Sequence, residues 1–342
     1  GTSLFPLRQV GRLNVNIVEL IKMLSNHTSD MSAFKALSHE IFQNLIPENI
    51  QQKIKNKKIT IIPDYTLQRI PFETFVTNKK ELRYLFQEVE ISYAYSATLL
   101  EHSRQQKDAP KDFIAIAPIT FNNSTLPKLH FSEKEVQGIS TYFTGTSLLN
   151  NEASKTNFIN KIGDAKIIHL ATHADIGTND NPWIAFKDSK MYLKEIYSTK
   201  NSADMVVLSA CNTSSGELKR GEGIMSLATG FFYSGSKSVV SSLWPIVDGA
   251  GNNIIVNFYQ NLDQGFSKSK ALQQAKLNYL DNTEVEVLKH PFYWAGFIVL
   301  GDNAPISNPS NTTILYIFGC SIILIAFFVF LFKKLKARQA VA

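Results

Sequence analysis

The sequence predicts an α/β fold, with helices covering both faces of one sheet. Three observations predict it. Short apolar runs rich in β-branched residues recur at 59–62, 113–117, 166–170, 205–209, 238–242 and 296–300, and unbroken runs of that length mark strands buried on both faces. Segments of helical periodicity lie between them, the alternation expected of α/β architecture. The composition is globular, with 44% hydrophobic and 19% charged residues, which excludes a disordered chain. A length of 342 residues allows one large domain or two small ones and ample core.

In chain order, residues 1–13 read as the end of an upstream segment, because the chain starts at Gly1 rather than Met. Residues 14–55 are mostly helical by pattern. Ser132 followed by Glu135 reads as a capping box before Val136, Ile139 and Phe143. Ser154 is placed to cap a helix through Phe158 and Ile162. Further helices are expected at 223–233, 251–262 and 267–280. The globular part closes at 302, and 303–312, with Pro and Asn and no basic residue, reads as a linker. Residues 313–332 then run for about 20 positions without a charge, the length that crosses a bilayer core. They predict a C-terminal transmembrane helix, a membrane partner and a single-pass membrane localisation.

The formal net charge is +6. Lys333, Lys334, Lys336 and Arg338 supply four of those charges within 333–342, leaving +2 elsewhere. The basic balance is a tail effect and does not describe a nucleic-acid surface, which needs basic residues clustered on a folded face. The positive-inside rule puts that tail in the cytoplasm; a tail anchor with few following residues would instead keep the domain there. The two cysteines, Cys211 and Cys320, sit at a strand end and inside the apolar run, so a disulfide is not expected. Neither a CxxC nor an HExxH spacing suggests zinc, and no GxxxxGK[ST] loop suggests a nucleotide. No metal and no cofactor are expected. A GxSxG elbow for a serine hydrolase is also missing.

Two segments carry chemistry. KIIHLATHAD (166–175) runs a buried strand into a polar loop with His173 just past the strand end. MVVLSACNTSSG (205–216) does the same with Cys211. Ligands of open α/β sheets bind outside the carboxyl ends of strands, so neighbouring parallel strands would bring both side chains over one crevice. A lone Cys is either a small buried hydrophobe or a nucleophile. A nearby His, which lowers the thiol pKa or takes its proton, makes the second reading. His169, four residues before His173, shares its strand face and reads as a core histidine with a satisfied hydrogen bond, or as a support for His173. His290 before Pro291 reads as structural. Trp244 and Trp294 read as packing under the crevice.

Six blocks in order resemble a known family: IIPDYTLQRIPFE (61–73), HLATH (169–173), LSAC (208–211), GEG (221–223) leading to VSSLWPIVD (240–248), HPFYWAGF (290–297) and GD (301–302). They are similar to the CHAT peptidases, caspase-like domains often found beside tetratricopeptide repeats and grouped with caspases, gingipains and separase. The resemblance covers nearly all of 14–302. It implies a caspase-like, mostly parallel sheet flanked by helices and a cysteine endopeptidase acting on protein substrates through a Cys/His dyad. Carried over by position, Cys211 is the nucleophile and His173 the general base and acid. The backbone N–H groups of Ala174 and Cys211 form the oxyanion hole. Ala174 stands where the family usually has Gly, which bears on the backbone angles of that hole. The resemblance also implies upstream tetratricopeptide repeats that bind an activator. The alternative is a catalytically silent, membrane-tethered docking or signalling module.

Specificity has two candidates by position, Asp175 beside His173 and Asp248 after the strand 238–242. Either carboxylate could pair with an Arg or Lys side chain, which makes cleavage after a basic residue the specificity expectation. Each also has a plainer role, at the surface or as a helix cap. Lys219-Arg220, in the polar loop after Cys211, reads as a solvated loop or a processing site.

Overall fold

The computed structural model describes residues 4–7, 10–107, 109, 111–122, 125–177, 181–209, 217–219 and 223–306. Eight strands form one sheet: β1 (Lys58–Ile61), β2 (Glu90–Tyr93), β3 (Lys111–Ala117), β4 (Gly145–Leu149), β5 (Ala165–Leu170), β6 (Met205–Leu208), β7 (Ser238–Ser242) and β8 (Phe297–Gly301). Their spatial order is β1-β2-β8-β7-β6-β5-β3-β4. Every neighbouring pair is parallel except β7 and β8. The sheet therefore consists of two parallel blocks joined along one antiparallel seam. Every residue of β6, β7 and β8 is buried; β6 and β8 are apolar runs, whereas β7, SVVSS, takes three serines into the interior.

The register at the centre positions the site. Leu170 of β5 pairs with Leu208 of β6, so these two strands end on the same rung at the carboxyl edge of the sheet, and His173 follows three residues after the first of them. Helices Ser132–Ile139 and Asp248–Asp263 pack together over the face to which β5 presents His169. Helix Lys268–Asp281 lies against Asp248–Asp263.

A buried ionic cluster ties the block 70–73 to the seam. Lys276, fully buried, donates to Glu73 at 3.3 Å and to the carbonyl of Phe297 at 2.7 Å. The Tyr93 hydroxyl donates to the other Glu73 oxygen and accepts the Phe72 N–H at 2.7 Å. Burial holds Lys276 below the ordinary lysine range, and the Glu73 charge opposes that shift. Two charges in such a place depend on each other, because either one alone would be left desolvated and unpaired.

Several expectations change. The helix expected at 223–233 is a strand, Gly223–Met225, paired with Glu217–Lys219, followed by a helix, Leu227–Tyr233. Ser226 sets the break by accepting the Thr229 N–H as N-cap. Ser154 caps its helix through the Asn157 N–H, but the capping box at Ser132 does not form. Ser132 is already helical and donates to the Leu129 carbonyl at 3.3 Å, while Glu135 turns inward to His169. The single-pass membrane localisation is also corrected. Among the described residues no helix is long and apolar enough to cross a membrane. The longest, Asp248–Asp263, has 16 residues, short of the roughly 20 a bilayer core requires. The stretch 313–332 itself lies outside the described residues.

Candidate functional site

His173 follows β5 by three residues and is held on both sides. Its carbonyl accepts the Ala185 N–H at 2.8 Å, and the neighbouring Thr172 hydroxyl donates to the Ala185 carbonyl at 2.7 Å. The Ala171 N–H reaches back to the Ile116 carbonyl of β3 at 2.9 Å. The loop is thus stapled to the sheet and to strand Trp183–Ala185.

The imidazole has two neighbours that sequence reasoning missed. Nε2 lies 2.8 Å from the carbonyl oxygen of Pro127. A carbonyl only accepts, so Nε2 carries the proton, and in the neutral ring Nδ1 is the free base. The ring of Phe121 packs on it at 5.1 Å between centroids, tilted 43°. Both partners come from the segment after β3, one of them through a backbone atom that no motif scan reads.

Beside His173 lies a cavity of about 90 Å³. Leu129, Phe131, Ile246 and Phe297 give it apolar walls, while Ser132, Glu135, Thr172, Ser209 and Asn252 are polar. Ser209 is two residues before Cys211. Cys211 lies outside the described residues. Ala174 is buried in a two-residue strand with Asp175 and is not among the residues with left-handed backbone. The position therefore does not demand glycine. Asp175 is exposed, and its carboxylate accepts the Gly177 N–H at 2.7 Å, closing its own turn rather than lining the cavity. Asp248 opens helix Asp248–Asp263 as its first turn, after the N-cap Val247; its side chain lies outside what is described.

His169 is fully buried with both ring nitrogens engaged, Nδ1 at 3.1 Å from the Tyr259 hydroxyl and Nε2 at 2.9 Å from Glu135. A neutral imidazole satisfies both, accepting from the tyrosine and donating to the carboxylate. Burial and the Glu135 charge hold the Tyr259 hydroxyl well above the usual phenol range. His290 caps helix Pro291–Trp294, accepting the Phe292 N–H, and pairs through Nε2 with Ser29 at 2.9 Å. Burial, with His27 nearby, lowers it to about 4. Trp244 donates to the Phe292 carbonyl, whereas Trp294 packs between Tyr84 and Phe86. Neither lines the cavity.

Residues 35–302 match the CHAT domain family. The chain belongs to the CHAT domain family. Tetratricopeptide repeat protein 28 of Homo sapiens is 24% identical over 162 residues, 47% of this chain and 6% of that protein. Its Mus musculus counterpart is 28% identical over 110 residues, 32% of this chain and 4% of that protein. This CHAT chain thus spans a small fraction of the relatives' length. Among solved structures, the Arg-specific cysteine proteinase gingipain R superposes with a TM-score of 0.50 at 8% identity, covering 90% of this chain and 81% of that one. The likeness is one of fold, an α/β architecture with a mostly parallel central sheet and flanking helices.

Proposed function

We propose that this CHAT domain is a cysteine endopeptidase in which Cys211 is the nucleophile and His173 the base. The observation that carries the reading is the paired register of β5 and β6, since adjacent strands stand about 4.8 Å apart and in the sequence His173 and Cys211 each follow three residues after the same rung. The Pro127 carbonyl fixes the tautomer of His173 and leaves Nδ1 to take the thiol proton. The thiolate attacks the scissile carbonyl carbon, and the oxyanion that forms is held by the N–H groups of Ala174 and Cys211. The C–N bond breaks as His173 returns the proton to the leaving amine. Water, deprotonated by His173, then hydrolyses the thioester and frees Cys211.

The substrate is a protein or peptide, with a basic residue before the scissile bond. Protein partners also fit relatives named for tetratricopeptide repeats, and repeats of that kind would recruit an activator or substrate to this domain. Digestion of a peptide library, read by mass spectrometry, tests the reading. Wild type is expected to cleave, and Cys211→Ala and His173→Ala to leave the library intact. Cleavage surviving in both variants would refute the dyad.

A further inference from the structure

The cavity beside His173 holds a carboxylate that the mechanism does not use. Glu135 is 5% exposed, lines the cavity and, among the described residues, has one hydrogen-bond partner, His169. A single imidazole N–H leaves most of the acceptor capacity of a carboxylate unspent. Asn252 lines the same cavity, and its buried Oδ1 has no hydrogen-bond partner among the described residues. An unpaired Asn252 oxygen and a carboxylate with acceptor capacity to spare therefore belong to residues bordering one space, whose other walls include the apolar Leu129, Phe131, Ile246 and Phe297. Buried acceptors are costly while unpaired. The occupant that relieves both is a cation with several N–H groups on an apolar stem, which describes an arginine side chain more closely than a lysine, because the planar fork reaches two acceptors at once.

We propose that Glu135, with Asn252 beside it, selects a basic side chain, arginine before lysine, in the residue preceding the scissile bond. This rests on the peptidase reading of the same site and replaces Asp175, which is exposed and does not line the cavity, as the acid that recognises substrate. His169 and Tyr259 are positioning residues here. They brace one oxygen of Glu135 from behind, so the other remains for the ligand.

The full chain is assayed with fluorogenic peptides that differ in one position, Arg, Lys, citrulline or Leu. Citrulline keeps the shape of arginine and removes the charge. Wild type is expected to favour Arg over citrulline by roughly 100-fold in kcat/KM, as sites built around a buried polar partner do. Glu135→Gln, which preserves size and can still accept from His169, should bring that ratio to within about tenfold while citrulline turnover holds. An equal fall on all four peptides would mean a structural role and overturn the proposal. Asn252→Ala guards against a folding defect in Glu135→Gln; it should weaken Arg turnover several-fold with a smaller effect on Leu. If wild type cleaves none of the peptides, the peptidase reading fails, and the pocket is judged by binding alone. Calorimetry with agmatine should show binding to wild type that Glu135→Gln abolishes and Asn252→Ala weakens. No binding to wild type, or equal binding to all three proteins, would overturn the cation site.

Discussion

His173 was legible because a histidine just past a buried strand has few plain explanations. What orients it was not, since the Pro127 carbonyl is a backbone atom 46 residues away and Phe121 sits in a loop with no motif. Both act on the ring's geometry, and in the proposed mechanism small misplacements of that base would be costly. Phe121→Ala is therefore expected to lower kcat about tenfold with little change in KM or thermal stability; a rise in KM at constant kcat would assign Phe121 to substrate binding instead. Glu135 was legible only as a helix cap. Its real partner, His169, is distant in sequence, and the capping box fails because that buried imidazole competes for the same side chain. His290 gives a pH signature. Its pKa falls from 6.5 to about 4 in the fold, so below 6.5 the unfolded chain takes up a proton that the folded chain resists. Stability is lost as the pH falls from 6.5 toward 4 and the loss levels off below that. The drop in Tm between pH 7.5 and 4.5 should be smaller in His290→Gln than in wild type; equal drops would show that His290 does not contribute.

At the scale of elements, the central strands were read nearly to their ends because burial on both faces leaves no polar alternation to confuse them. The strands β2 and β4 were missed. Their sequences, EISY and GTSLL, mix polar and apolar residues, and Ser92 spends its hydroxyl pairing with Thr60 of β1 at 3.1 Å. The antiparallel seam was also invisible, since strand direction is decided by connections rather than by composition. That seam sets one wall of the cavity. Gly296, just before β8, allows Ile246 and Trp244 to close over it: a Cβ there would lie 2.2 Å from Ile246 Cδ1 and 3.2 Å from the Trp244 ring. Gly296→Ala must push Ile246, a cavity-lining residue, out of place. Overpacking of this kind costs about 1–3 kcal/mol, and peptide turnover should fall with it. Unchanged kcat/KM would show that this wall does not shape the site.

Across the whole molecule, two of the family blocks found in the sequence meet at one buried ionic cluster. IPFE (70–73) supplies Glu73, helix Lys268–Asp281 supplies Lys276, and the carbonyl of Phe297 belongs to the block 290–297. One buried cluster thus ties together segments far apart in the sequence. Lys276→Met should cost about 3–5 kcal/mol in urea unfolding by stranding Glu73, and Lys276→Met with Glu73→Gln should cost less than the sum of the single variants. Additive costs would mean that the cluster is not a unit. The caspase-like sheet was readable from the motifs, while the membrane placement drawn from 313–332 found no spanning helix among the described residues.

The dyad itself is tested most directly by intact mass. The full chain is treated with a peptidyl acyloxymethyl ketone bearing arginine, alongside Cys211→Ala and His173→Ala. The account predicts one adduct on wild type, mapped to Cys211, none on Cys211→Ala and slow or no labelling of His173→Ala. Labelling at Cys320, or labelling of His173→Ala at the wild-type rate, would contradict it.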